Sequence, residues 1–165
     1  MKEIIVRYLG VLCAVFLSGT FSFLFLPLTL YTSYFLLQLF LPVTMSENIL
    51  HISHFSFTFV DACAATLAYV LLLILLLVTR GITFFQALKM FVLGSVSIFV
   101  LNILRIIFLV YLYIRFGVDY FAMAHLFLWH IVSTIIVAGI WIALVEYYHI
   151  VNIPVISDIK ETLKR

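Results

Sequence analysis

The sequence predicts an all-α, polytopic membrane bundle of about four crossings, with a broken or interfacial helix after the first crossing and a short extracytoplasmic β-like hairpin before Cys63. Three observations predict it. Hydrophobic residues make up 67% of the chain and charged residues 10%, with a mean hydropathy of +1.32, against about 45–50% and 25% in soluble domains. The apolar residues fall in runs close to the roughly 20 residues that a spanning helix needs. Between residues 43 and 61 that pattern gives way to Phe55, Ser56, Phe57, Thr58, Phe59, an apolar and hydroxyl alternation of period two that predicts a strand. The runs continue into the C-terminal quarter, which points away from a soluble protein with one cleavable leader. The whole chain, 1–165, is expected to form a single membrane domain.

The first apolar run covers 8–26, and Pro27 is expected to break it before a second stretch, 28–41, that ends at Pro42. Together they form an N-terminal membrane region, 8–41, followed by the outer hairpin, 43–61. A helix from about Ala62 to Thr79 closes at Arg80 and Gly81, a stop signal with a cation in the last turn. A longer helix starts near Thr83, carries Gln86 and Lys89 in the inner interface, and is stopped by Gly117 after Arg115, which snorkels to the outer headgroups. The last span begins near Phe121 and ends near Glu146, with Trp141, Tyr147 and Tyr148 as an aromatic belt. Residues 62–148 make the core, and 149–165 a cytoplasmic tail. The seventeen Phe and nine Tyr serve lipid contact and packing and imply no cofactor.

Net charge is only +2, which gives nucleic acid little support as a partner. The placement of cations says more than their sum. Lys2 and Arg7 precede the first run, Arg80 and Lys89 flank one loop, Lys160, Lys164 and Arg165 close the chain, and no Lys or Arg lies between Arg7 and Arg80. The positive-inside rule then puts 43–61 outside and both termini in the cytoplasm of a multi-pass cell-membrane protein.

Arg105 sits deep in Ile103, Leu104, Arg105, Ile106, Ile107. A membrane arginine is costly, so it faces a polar cavity or partner and becomes a functional-site candidate. At 1.5 Å per residue Cys63 lies roughly 25 Å from Arg80, and Arg105 roughly 24 Å from Lys89, so both reach the outer end, where His125 opens the last span. A thiol, a guanidinium and an imidazole on three helices thus converge at one depth. That is equipment for acyl transfer: Cys63 as nucleophile, His125 moving protons and Arg105 stabilising an oxyanion. Asn102, nearly one helical turn before Arg105, can support the same group, and Asp61 precedes the thiol by two residues. His130, five residues beyond His125, is the rival imidazole; it is expected on another helix face, deeper, bonded to a neighbouring helix. Cys13 reads as a small apolar filler, and with two cysteines no disulfide framework is expected. His51 and His54 lie in the hairpin without a matching acidic or thiol cluster, so no metal is predicted.

At Asp61, Ala62, Cys63 leading an apolar helix, then Asn102, Ile103, Leu104, Arg105, then His125 opening the last span, the chain resembles the exosortase and archaeosortase family of membrane cysteine transpeptidases, its small archaeal members most. The likeness covers about 48–148. This chain departs from many members in carrying Ala64, Ala65 and Thr66 after the cysteine and Trp129 four residues after the histidine. The resemblance implies Cys63, Arg105 and His125 as catalytic residues. It also implies a surface protein's C-terminal sorting signal as substrate, and a lipid or lipid-linked group, or another amine, as acceptor. Two other classes fit the residues. One is a non-enzymatic transporter or assembly subunit that uses Arg105 and Asp61 as a buried pair; the other is an acyltransferase acting on a lipid or sugar.

Overall fold

The computed structural model describes residues 10, 12, 15, 16, 18–52, 55–79 and 81–150. The expectations for Lys2, Arg7, Cys13, His54, Arg80 and the tail with Lys160, Lys164 and Arg165 lie outside those residues. The described chain forms helix α1 (Ser18–Gln38), strands β1 (Val43–Ser46), β2 (Ile49–Ile52) and β3 (Phe55–Thr58), and helices α2 (Thr66–Val78), α3 (Phe84–Phe116) and α4 (Val118–Phe127). A π-helical turn over Leu128–Val132 then joins α4 to α5 (Ser133–Tyr147) without interruption. Three helices are long and apolar enough to cross a membrane: Ser18–Gln38, Phe84–Phe116 and Val118–Tyr147. This is a helical membrane protein, with α2 a shorter apolar helix beside those three.

The break expected at Pro27 does not occur. Helix α1 runs through it to Gln38, so no separate interfacial piece exists over 28–38. A proline removes one backbone donor and crowds the preceding turn, but this helix is held from the side: Thr29, Leu30, Ser33 and Leu37 are buried. Tertiary packing outweighs the local cost.

The hairpin is a three-stranded antiparallel sheet in the order β1-β2-β3, with Val43 opposite Ile52 and Ile52 opposite Phe55. Glu47 makes the tight turn between β1 and β2 at φ 53°, and Phe59 N–H donates to the Asn48 carbonyl at 2.7 Å, carrying the ladder one residue past β3. Alternation gives the sheet one apolar face. Val43, Leu50 and Ile52 on it, with Phe59, pack against Leu30 and Leu37 of α1 and Ile106 and Val110 of α3. The sheet therefore caps one end of the bundle. On its other face His51 Nδ1 and Ser56 Oγ, cross-strand partners, are hydrogen-bonded at 2.7 Å.

Helix α3 is the axis of the molecule and touches all four other helices. Its start is a capping box: Thr83 Oγ1 accepts from Gln86 N–H, and the Gln86 amide oxygen accepts from Thr83 N–H at 3.0 Å. Toward that end the helices approach closely at Gly94, where an added Cβ would lie 2.6 Å from Leu72 Cδ2 and 3.2 Å from Leu144 Cδ1. Small residues permit such crossings where hydrocarbon packing, rather than water exclusion, joins membrane helices. Tyr69, Leu72, Leu76, Met90, Ile98, Val137 and Val145 fill the surrounding core, and Trp141 Nε1 donates to Thr79 Oγ1 at 3.0 Å.

Candidate functional site

Cys63 was expected at a helix start but lies in the turns that precede one. Between Asp61 and Ala65 the chain makes three consecutive short-range bonds, from Cys63 N–H to the Val60 carbonyl at 2.8 Å, Ala64 N–H to Asp61 at 3.1 Å and Ala65 N–H to Ala62 at 3.4 Å. Ala65 then adopts the left-handed conformation, φ 54°, and α2 begins at Thr66. Such a conformation costs a non-glycine residue energy that its surroundings must offset. Here α3 supplies the offset.

Asn102 Nδ2 donates to the Cys63 carbonyl at 2.7 Å, and Arg105 Nη2 donates to the Ala62 carbonyl at 3.1 Å. Their spacing of three residues puts them on one face of α3, so two adjacent carbonyls are gripped by side chains one turn apart. The thiol-bearing backbone is thereby fixed to the longest helix. Charge-assisted bonds of the Arg105 kind are the stronger sort.

The remaining Arg105 donors are divided. Nη1 reaches Ser133 Oγ of α5 at 3.5 Å, and Ser133 Oγ–H itself donates to the Leu128 carbonyl at 2.8 Å. Arg105 Nε is buried with no partner among the described residues, as is Asn102 Oδ1. An unpaired buried donor is expensive, so its place calls for a role.

His125 lies on α4 with its ring between those of Phe121 and Trp129, centroids 5.7 and 6.4 Å away, each near-parallel to it. Residues four apart share a helix face, so the stack fixes the plane of the imidazole. Trp129 is one wall of that stack.

Cys63, Arg105 and His125, predicted to converge, line one cavity of about 40 Å³ together with Phe57, Phe59 and Phe121. Asn102 and Asp61 lie outside it. Asn102 is 4% exposed and acts on the Cys63 backbone. Asp61 is exposed and faces a much larger groove of about 690 Å³, whose lining includes Ser22, Thr66, Ala62, Arg105, Ser133 and His130. Arg105 lines both spaces and also borders a third, apolar cavity of about 260 Å³ between α3 and α5.

His130 differs from its expected place. It is exposed, and its Nδ1 bonds the Leu126 carbonyl of its own helix at 3.0 Å, not a neighbouring one. The π turn is the reason: five residues of α-helix would turn it about 140° from His125, and a π turn, one residue wider, winds it back toward Arg105. The sequence reasoning also missed Ser133. Ser133 and Thr134 form a hydroxyl pair in a stretch of hydrocarbon, and that interruption was the available signal.

Among the described residues no group of three His, Cys, Asp or Glu side chains is placed to hold a metal ion. Comparison with protein-family models, curated proteins and solved structures yields no match to this chain.

Proposed function

We propose that this protein is a membrane-embedded cysteine transpeptidase of the exosortase and archaeosortase kind, which cleaves C-terminal sorting signals of exported surface proteins and passes the acyl group to an anchor. The observation that carries the reading is one cavity bordered by Cys63, Arg105 and His125 and closed by apolar walls, beside a buried Arg105 Nε–H that bonds nothing. In this mechanism His125 takes the thiol proton and Cys63 Sγ attacks the scissile carbonyl. The oxyanion forms beside Arg105, whose free Nε–H supplies a preorganised donor in a poorly hydrated site. Collapse of the intermediate expels the tail as an amine that leaves with the proton from His125, and the acyl group stays on Cys63 as a thioester.

β3 ends the sheet, and Phe57 and Phe59 border the thiol cavity. An extended substrate segment can add to that edge, with backbone bonds holding the residues before the scissile bond. The aromatic side chains of β3 are largely committed within the protein. Phe55 and Phe57 already pack against Tyr113, with Phe57 also against Phe121, and Phe59 is buried. The proposed topology counts α2 as a fourth crossing, keeps both termini cytoplasmic and opens the site to the outside.

The transporter or assembly reading relied on an Arg105–Asp61 pair. Arg105 instead directs Nη2 to Ala62 and Nη1 to Ser133, and Asp61 is exposed. Co-expression of a secreted protein carrying a C-terminal tail (short motif, apolar helix, basic end) with wild type and Cys63→Ala tests the reading. Tail removal by wild type alone supports it; removal that persists in Cys63→Ala ends the thiol mechanism.

A further inference from the structure

The larger groove, which shares Arg105 with the thiol cavity, carries its own titratable pair, Asp61 and His130, for which the first half of the reaction has no use. Three features of that pair point in one direction. His130 Nδ1 faces the Leu126 carbonyl at 3.0 Å; a carbonyl only accepts, so Nδ1 carries a proton, and in the neutral ring the lone pair of a base is on Nε2. Asp61 is exposed to the same groove and offers a carboxylate to a cation. The groove is lined by Ala62, next to Cys63 in sequence, and by Arg105, which also lines the thiol cavity, so a molecule seated there lies beside the residue that carries the thioester.

We propose that His130 is the base of the second half-reaction, and that it activates a primary amine held as its ammonium by Asp61. This deepens the transpeptidase reading and rests on it. The ammonium gives one proton to His130 Nε2 and becomes a nucleophile. Its nitrogen attacks the thioester carbonyl, a C–N bond forms, and the C–S bond breaks with Cys63 leaving as thiolate. The second nitrogen proton passes to that thiolate, and His130 releases its own to water in the groove, so amide, thiol and one proton balance thioester and ammonium. Two imidazoles five residues apart thereby serve two cavities that share Arg105. The π turn makes this possible, because it brings His130 back toward Arg105.

The test is single-turnover processing of the tail substrate by the full chain in vesicles, followed by mass measurement of released tail, hydroxylamine-labile acyl-Cys63 and final product. Phosphatidylglycerol vesicles with ethanolamine in the water are compared with phosphatidylethanolamine vesicles, which separates a soluble amine from a lipid headgroup. Wild type should form an amide adduct in at least one arm. His130→Ala should still release about one tail per enzyme, accumulate acyl-Cys63 and form adduct at least tenfold more slowly, with recovery on adding imidazole, which a purely structural loss would not allow. Asp61→Asn should raise the amine concentration needed for half-maximal transfer.

Adduct formation by His130→Ala at the wild-type rate would overturn the proposal, as would wild type yielding only the hydrolysed acid in both arms. Failure of the underlying reading looks different: no variant, wild type included, would accumulate acyl-Cys63.

Discussion

The two ends of the helical core are held by opposite means. Around Gly94, α2, α3 and α5 meet chiefly through hydrocarbon, close enough that one added carbon would collide with Leu72, with the Trp141–Thr79 hydrogen bond beyond it. Around Cys63 the same helices meet through polar side chains, with Asn102 and Arg105 holding main-chain carbonyls and Ser133 tying Arg105 to α5. Apolar contacts are non-directional and scale with area, so the Gly94 end sets how far apart the helices stand. Hydrogen bonds are directional, so the Cys63 end sets where individual atoms lie. Substitutions at the first end should cost folding and activity together, and those at the second should cost activity first.

Arg105→Ala is the hardest test of that contrast. It removes the grip on Ala62 and the unpaired donor together, and tail removal should fall by about 10²–10³-fold, the cost of losing an oxyanion donor. Processing rate measured beside thermal unfolding in detergent checks it; a rate loss no larger than the fall in folded protein would erase the distinction between the ends. Arg105→Lys should rescue little, since a single ammonium cannot serve Ala62, Ser133 and an oxyanion together. Gly94→Val attacks the other end and should destabilise the bundle by about 1–3 kcal/mol through overpacking, with activity per folded molecule nearly unchanged. Asn102→Leu loses the 2.7 Å bond to the Cys63 carbonyl and should cost roughly 0.5–1.5 kcal/mol, seen as up to about a tenfold slower acylation under conditions where the protein remains folded. Ser133→Ala should do least, because its bond to Arg105 is long at 3.5 Å; about a twofold rate change is expected.

The convergence of Cys63, Arg105 and His125 was legible because depth in a spanning helix can be counted at a fixed rise per residue. The start of α2 was not. Ala62, Ala64 and Ala65 favour helix intrinsically, and the competing bonds come from Asn102 and Arg105, 39 and 43 residues away from the carbonyls they hold. Pro27 misled for the converse reason: its local signal is strong, and the burial of Thr29, Leu30, Ser33 and Leu37 that overrides it is a property of the assembled bundle. The strand over 55–58 was legible from its alternation, whereas β1, with only Val43 and Met45 on alternate positions, was too short to announce a third strand. The π turn has no sequence signature of its own. Without it His130 could be placed only by α-helical rotation, which turns it away from Arg105.

Helix lengths set a further relation. At 1.5 Å per residue α3, with 33 residues, is about 50 Å long and its neighbour α2, with 13, about 20 Å, against a hydrocarbon layer of about 30 Å. One helix is longer than that layer and the other shorter, so with α2 as the proposed fourth crossing, lipids beside it would thin or the turn bearing Cys63 would sit below the headgroups. In the proposed mechanism bilayer thickness would then govern how much water reaches the Cys63 thioester: long-chain lipids would shield it from hydrolysis, and short-chain lipids would expose it.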